Sequence, residues 1–143
     1  MINFTLQHIL IMRSIMQYPM KSVHSVHSLF YLVVADDENR YDLGFYDFIR
    51  LIYGPYSPNL QYILDDLTVN QLLNKKDLEL SPKGREIYYQ LAAALRGSDE
   101  FLNKFTQVLY RNGNDIKQVN KSVKSNFMLR KTQVGNKIFV QDC

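Results

Sequence analysis

The stretch Tyr53-Gly54-Pro55-Tyr56-Ser57-Pro58-Asn59-Leu60 constrains this chain more than any other, because it fixes where a helix must begin. Ser57 can cap the first turn with its hydroxyl, and Pro58 then falls at the first helical position, where a missing N–H costs nothing. Leu60, Ile63, Leu64 and Leu67 follow at three- and four-residue spacing, which places them on one face of a short amphipathic helix reaching toward Leu73. Just before it, Gly54 and Pro55 predict a tight turn with a positive φ at the glycine. Downstream, Lys75 to Leu80 has the length of a small strand. Ser81-Pro82 then repeats the cap-and-proline pair at the start of a second helix.

Tight turn, helix, short strand and capped helix follow one another in the order of a winged helix-turn-helix. On the Tyr53-Gly54-Pro55-Tyr56-Ser57-Pro58 residues the chain resembles winged-helix proteins of the YwgA and Panacea type, which carry a similar "YGPxSP" lead into the second helix of the motif. The resemblance spans residues Met20 to Leu95. It implies a mainly α fold with a small β wing, here extended by additional C-terminal helices. Panacea-type domains are associated with antitoxin roles, so the resemblance also admits a protein partner. The expected organisation is a single domain over 1–143, with a winged-helix core at 20–95 and a basic C-terminal extension at 98–143.

The flanking segments read less evenly. Ile2 to Tyr18 is expected to be a helix stopped by Pro19, and Ser22 to cap a second helix over Val23 to Ala35. Asp36-Asp37-Glu38-Asn39 is a polar run. Tyr41 to Phe48 fits an extended segment or a loop, and Phe48 to Tyr53 fits a strand or one helical turn. Pro82 to Leu95 reads as one helix ended near Gly97, with Ser98 capping the next, whose apolar face is Phe101, Leu102, Phe105, Val108 and Leu109. Asn112-Gly113-Asn114 is a turn signal. A basic helix follows over Asp115 to Lys124, striped by Ile116, Val119 and Val123. Val134-Gly135-Asn136-Lys137 is expected to turn a hairpin joining Met128-Leu129 to Ile138-Phe139-Val140.

Composition narrows the class. The hydrophobic fraction of 46% and charged fraction of 22% are those of a globular domain with a core of its own. The single cysteine, Cys143, excludes an intramolecular disulfide and fits a reducing compartment. Gln7, His8, Arg13 and Ser14 interrupt the apolar residues between Phe4 and Met16, so a membrane span is not expected there. With no basic n-region before it and no small-residue cleavage site after it, a signal peptide is not expected either. A cytoplasmic protein without membrane contact is expected.

The net charge of +3 conceals a strong asymmetry. Met1 to Asn103 carries nine basic and twelve acidic residues, whereas Lys104 to Lys137 carries eight basic residues against Asp115 alone. Such a basic tail attracts phosphate, nucleic acid or an acidic protein face.

No catalytic or metal constellation emerges, and neither enzyme activity nor a cofactor is expected. His24 and His27 have a spacing two metal ligands can use, but no cysteine supports them, and they read as ordinary surface histidines of a helix. The acidic run at 36–38 lacks the spacing of a calcium loop, and no Gly-rich phosphate loop exists.

The expected function is therefore that of a DNA-binding transcriptional regulator, acting as a homodimer on double-stranded DNA. In winged-helix proteins the second motif helix enters the major groove. Here it would offer Asn59, Gln61 and Tyr62 to base edges and phosphates, but Asp65 and Asp66 also face outward and repel a polyanion. Phosphate contacts are expected instead from Lys75, Lys76, Lys83 and Arg85 around the wing, and from Lys117, Lys121 and Lys124 in the tail. The competing expectation is a winged-helix interaction module that binds a protein and not DNA.

Overall fold

A computed structural model describes residues 3–18, 20–35, 45–97, 99–112 and 115–139. The elements in chain order are α1 (Leu6–Gln17), α2 (Val23–Ala35), β1 (Ile49–Leu51), β2 (Gly54–Tyr56), α3 (Pro58–Val69), β3 (Leu73–Asn74), β4 (Glu79–Leu80) and α4 (Pro82–Leu91). A 3₁₀ turn at Ala92–Leu95 follows α4, and then come α5 (Asp99–Arg111), α6 (Ile116–Lys124) and α7 (Phe127–Lys131). The fold is mainly helical, with two small antiparallel strand pairs.

The residues that hold α2 in place explain its unusual burial. Ser25, Val26, His27, Ser28, Leu29, Phe30, Tyr31, Val33 and Val34 are all buried, so the helix is enclosed on nearly every side. The β1–β2 hairpin, α5 and α6 pack against it. A helix covered all round is a core helix. This corrects the reading of His27 as a surface residue, since it is only 2% exposed, whereas His24 is half-buried. Packing against the hairpin and α6 is what buries a face whose own polarity points to solvent.

The central motif forms as its local chemistry dictates. Ser57 caps α3 by accepting from the Leu60 N–H at 3.0 Å, with Pro58 in the first turn. Leu60, Ile63, Leu64 and Leu67 are buried together against α1. The helix closes with paired bonds from the Leu72 N–H to the Leu67 carbonyl and from the Gln71 N–H to the Thr68 carbonyl. Gln71, at φ 62°, takes the left-handed position that glycine more often fills. Ser81 caps α4 in the same manner as Ser57 caps α3, accepting from the Gly84 N–H at 3.0 Å.

Residues 49–56 resolve as a hairpin, pairing Ile49 with Tyr56, Arg50 with Pro55 and Leu51 with Gly54. The turn falls at Ile52-Tyr53 and not at the expected Gly54-Pro55, which begin β2 because their backbone pairs with Leu51 and Arg50. Gly54 has the expected positive φ, +141°, and a β-carbon there would stand 3.1 Å from the His24 ring. The region 73–80 is a strand pair joined by a turn, Leu73 opposite Leu80 and Asn74 opposite Glu79, and not one strand. The expected helix over Pro82 to Leu95 tightens into the 3₁₀ turn at its end.

The hairpin expected between Met128-Leu129 and Ile138-Phe139-Val140 is not formed. Residues 127–131 are helical, capped by Asn126, whose side chain accepts from the Leu129 N–H. The segment after α7 instead runs antiparallel to β1. The Arg50 N–H donates to the Asn136 carbonyl at 2.9 Å, and the Ile138 N–H to the Phe48 carbonyl at 2.9 Å. An existing strand edge offers ready partners to the passing chain, which a five-residue hairpin of its own would not. Ile2 and Pro19 at the ends of the first expected helix, the acidic run at 36–39, Tyr41 to Gly44, Ser98 as a cap, Gly113-Asn114 of the turn and Val140 lie outside the described residues.

Candidate nucleic-acid interface

The outer face of α3 is largely spoken for by other parts of the chain. Nδ1 of His27 accepts the Ser57 backbone N–H at 3.1 Å, so its Nε2 carries the proton and donates to Gln61 Oε1 at 3.0 Å. The Gln61 amide in turn donates to Asp65 at 3.0 Å, and Lys75 stands 3.6 Å from the same carboxylate. Burial drives the His27 pKa below its ordinary value, against the Gln61 bond and the charges of Asp47 and Asp65, which raise it. His27 is therefore a neutral strut beneath the helix start.

Asp47 secures that start from the other side. Its carboxylate accepts from the Ser57 hydroxyl and, at 2.8 Å, from the Asn59 N–H. A carboxylate at the first turn of a helix meets exposed N–H groups and the positive end of the dipole. The Asn59 side chain donates to Gln7 of α1 at 3.0 Å. Asp66, the second acid on α3, accepts from His8 at 3.0 Å, and His8 closes a capping box with Thr5. Of the groups expected to read base edges, Gln61 and Asn59 are thus engaged within the chain, and Tyr62 is 65% exposed.

Around the β3–β4 pair, Lys75, Lys76, Lys83 and Arg85 are exposed. Lys75 faces Asp65, however, and Asp77, Glu79 and Glu86 lie among these cations in the chain. β3 and β4 pack with α1, α3 and α4, whereas α6 packs with α2 and α7. The two sets of cations therefore belong to different groups of elements.

The α6–α7 face is of another character. Ile116, Val119 and Val123 turn inward, and Lys117, Lys121 and Lys124 are exposed on the opposite side. Arg130 and Lys131 are exposed in the last turn of α7. From Ile116 to Phe139 the chain carries six cations, the sixth being Lys137, and no carboxylate. Phe127 stands 73% exposed, with the Lys131 ammonium 5.3 Å from its ring centre.

This face is built onto the β1–β2 hairpin. Arg50 donates from its guanidinium to the carbonyls of Arg130 (3.1 Å) and Thr132 (2.6 Å), at the open end of α7. Tyr53 meets the His24 ring edge-on at 5.8 Å. The His24 pKa is lowered first by burial and then by the charge of Lys124, and Asn120 of α6 donates to Ser25, the residue after His24, at 3.4 Å. Tyr31 of α2 donates its hydroxyl to Asn126 at 2.6 Å, pinning the α6–α7 junction to the core.

Sequence reasoning found three of these cations, Lys117, Lys121 and Lys124. It missed Phe127, Arg130 and Lys131 as one group, because they share a face only if 127–131 is helical. The signal was present in the four-residue spacing of Phe127 and Lys131. Among the described residues no group of three or more His, Cys, Asp or Glu is arranged to hold a metal, and no helix is long and apolar enough to cross a membrane. Comparison with protein-family models, with curated proteins and with solved structures finds no match.

Proposed function

We propose that the chain is a winged-helix DNA-binding protein, a transcriptional regulator that holds double-stranded DNA by its phosphates through the α6–α7 face. The observation that carries this reading is the run of six cations without a carboxylate from Ile116 to Phe139. Lys117, Lys121 and Lys124 line one face of a helix whose other face is packed in the core. Phosphate neutralisation supplies most of non-specific affinity for duplex DNA, and such a face is suited to it. The wing residues Lys75, Lys76, Lys83 and Arg85 are a second, weaker set, partly offset by neighbouring acids. α3 serves as a scaffold here and not as the reader of a groove, since its polar groups are bonded inward and Asp65 is exposed.

Fluorescence anisotropy with a random-sequence duplex at two salt concentrations tests the proposal. Binding that weakens steeply with salt, and more shallowly once Lys121 and Lys124 are replaced by Ala, is the expected result. Absence of salt-dependent binding by the wild-type chain would remove the reading.

A second reading, a protein-interaction module, draws on a different surface. Tyr62, Asp65 and Val69 form an exposed apolar and acidic strip on α3. Such a strip fits a basic protein partner better than a polyanion. Under this reading changes at Tyr62 and Val69 abolish partner capture and changes at Lys121 and Lys124 do not.

A further inference from the structure

The most solvent-exposed large apolar side chain among the described residues is Ile52, at 91%, on the two-residue tip of the β1–β2 hairpin. Its neighbour Tyr53 is 59% exposed. An isolated apolar residue on a surface is ordinary, so exposure alone decides nothing. The position of this tip is what matters, because its hairpin adjoins the elements that carry the tail cations.

On one side, Tyr53 packs on His24, and Asn120 of the basic helix α6 donates to Ser25, the next residue of α2, at 3.4 Å. On the other, the Arg50 side chain is bonded to the carbonyls of Arg130 and Thr132, which brings the end of α7 against β1. Lys137 lies across the strand edge, opposite Ile49. The tip is also rigid at its base. Gly54 rests on His24, and the chain at 135–138 is hydrogen-bonded along β1. The exposed cations of α7 and the exposed Lys137 therefore lie on segments that adjoin the hairpin whose tip is Ile52.

We propose that Ile52, backed by Tyr53, enters the base stack of the DNA that the α6–α7 face holds. The inference rests on the DNA-binding reading above. Proteins that bind the minor groove combine Arg and Lys contacts with apolar wedges such as Ile, Leu or Phe that they insert between base steps, partly unstacking them. Charge complementarity is what favours DNA as the occupant here. The same features, an apolar tip amid lysines, would also suit an anionic lipid surface, and the test distinguishes the two.

The experiment uses the full chain and a short duplex carrying one 2-aminopurine, whose fluorescence rises when its step unstacks, with binding followed in parallel by anisotropy. The wild type is expected to raise the fluorescence severalfold at saturation. Ile52→Ser is expected to lose most of that rise while keeping the salt dependence of binding, since it removes no charge. Circular dichroism confirms that the exposed substitution leaves the fold intact. Fluorescence that stays flat on a saturated complex, or that rises equally with Ile52→Ser, overturns the insertion and leaves phosphate binding standing. Loss of all salt-dependent DNA binding overturns both. Vesicles of phosphatidylcholine and phosphatidylserine form the third arm: Ile52-dependent binding to them with flat DNA fluorescence overturns the proposal in favour of a lipid surface.

Discussion

The backbone N–H of Ser57 donates to Nδ1 of His27 across 3.1 Å, so the start of α3 hangs from a side chain of α2 that is 30 residues away in sequence. Tyr56 stacks on the same ring at 4.8 Å between centroids, and Asp47 holds the Ser57 hydroxyl. The helix start that the sequence announces is therefore fixed in space by three elements at once. Its orientation depends on His27 remaining neutral.

That dependence has a sign. The folded pKa of His27 is depressed below 6.5, chiefly by burial, so on acidification the unfolded chain takes up its proton first. Stability contributed by neutral His27 is complete above the unfolded value and is lost as the pH falls through the folded one. Urea midpoints should fall between about pH 7 and about pH 5. His27→Leu should be less stable at neutral pH, by about 1–3 kcal/mol for the stranded Ser57 N–H, and should show a shallower decline. His24, whose pKa is also lowered by burial and by Lys124, supplies part of what remains. An unchanged pH slope in the variant would contradict this account.

Leu64 is 1% exposed in the middle of the buried face of α3. Leu64→Ala should cost about 2–5 kcal/mol, combining the transfer energy of the deleted atoms with the cavity left behind. Chemical denaturation monitored by circular dichroism measures it, and a near-neutral result would mean that α3 turns another face to the core.

Two glycines should respond differently to alanine. At Gly54 the positive φ disfavours a side chain, and a methyl would stand 3.1 Å from the movable His24 ring, for a cost of about 1–3 kcal/mol. At Gly84 a methyl would fall 2.2 Å from the Leu72 carbonyl oxygen, a backbone atom that also accepts the Ser81 N–H. Gly84→Ala must push α4 away from the strand pair and should be the more damaging of the two. Thermal melts of the two variants side by side check the order.

For DNA, the α6–α7 cations and the wing cations should separate in their salt dependence. Removing one phosphate-bound cation lowers the slope of log affinity against log salt by about 0.9. Lys121→Ala with Lys124→Ala should therefore flatten it by about two units. Lys75→Ala should change it little, because that ammonium already faces Asp65 at 3.6 Å. Equal slopes for both sets of variants would argue that the wing binds as many phosphates as the helices do.

Legible in the residue order were the pieces whose causes lie within one helical turn. Ser57-Pro58 and Ser81-Pro82 set the starts of α3 and α4 because a cap acts on N–H groups two or three residues away. The stripe of Leu60, Ile63, Leu64 and Leu67, and that of Ile116, Val119 and Val123, followed from periodicity alone. Whatever required a distant partner was settled by packing. His24, Ser25, His27 and Ser28 make one side of α2 look like a solvated face, yet β2, α3 and α6 cover it. Hydrogen bonds with Ser57, Gln61 and Asn120 satisfy His27 and Ser25 there, whereas His24 Nδ1 and Ser28 Oγ are buried without a hydrogen-bond partner. Residues 127–131 are too few to declare a period, and their helix exists because Asn126 caps one end, Leu129 is buried and Arg50 binds the carbonyls at the other. That hydrogen bond, spanning 82 residues, also gathers Phe127, Arg130 and Lys131 beside the β1–β2 hairpin, which no local pattern could have foretold.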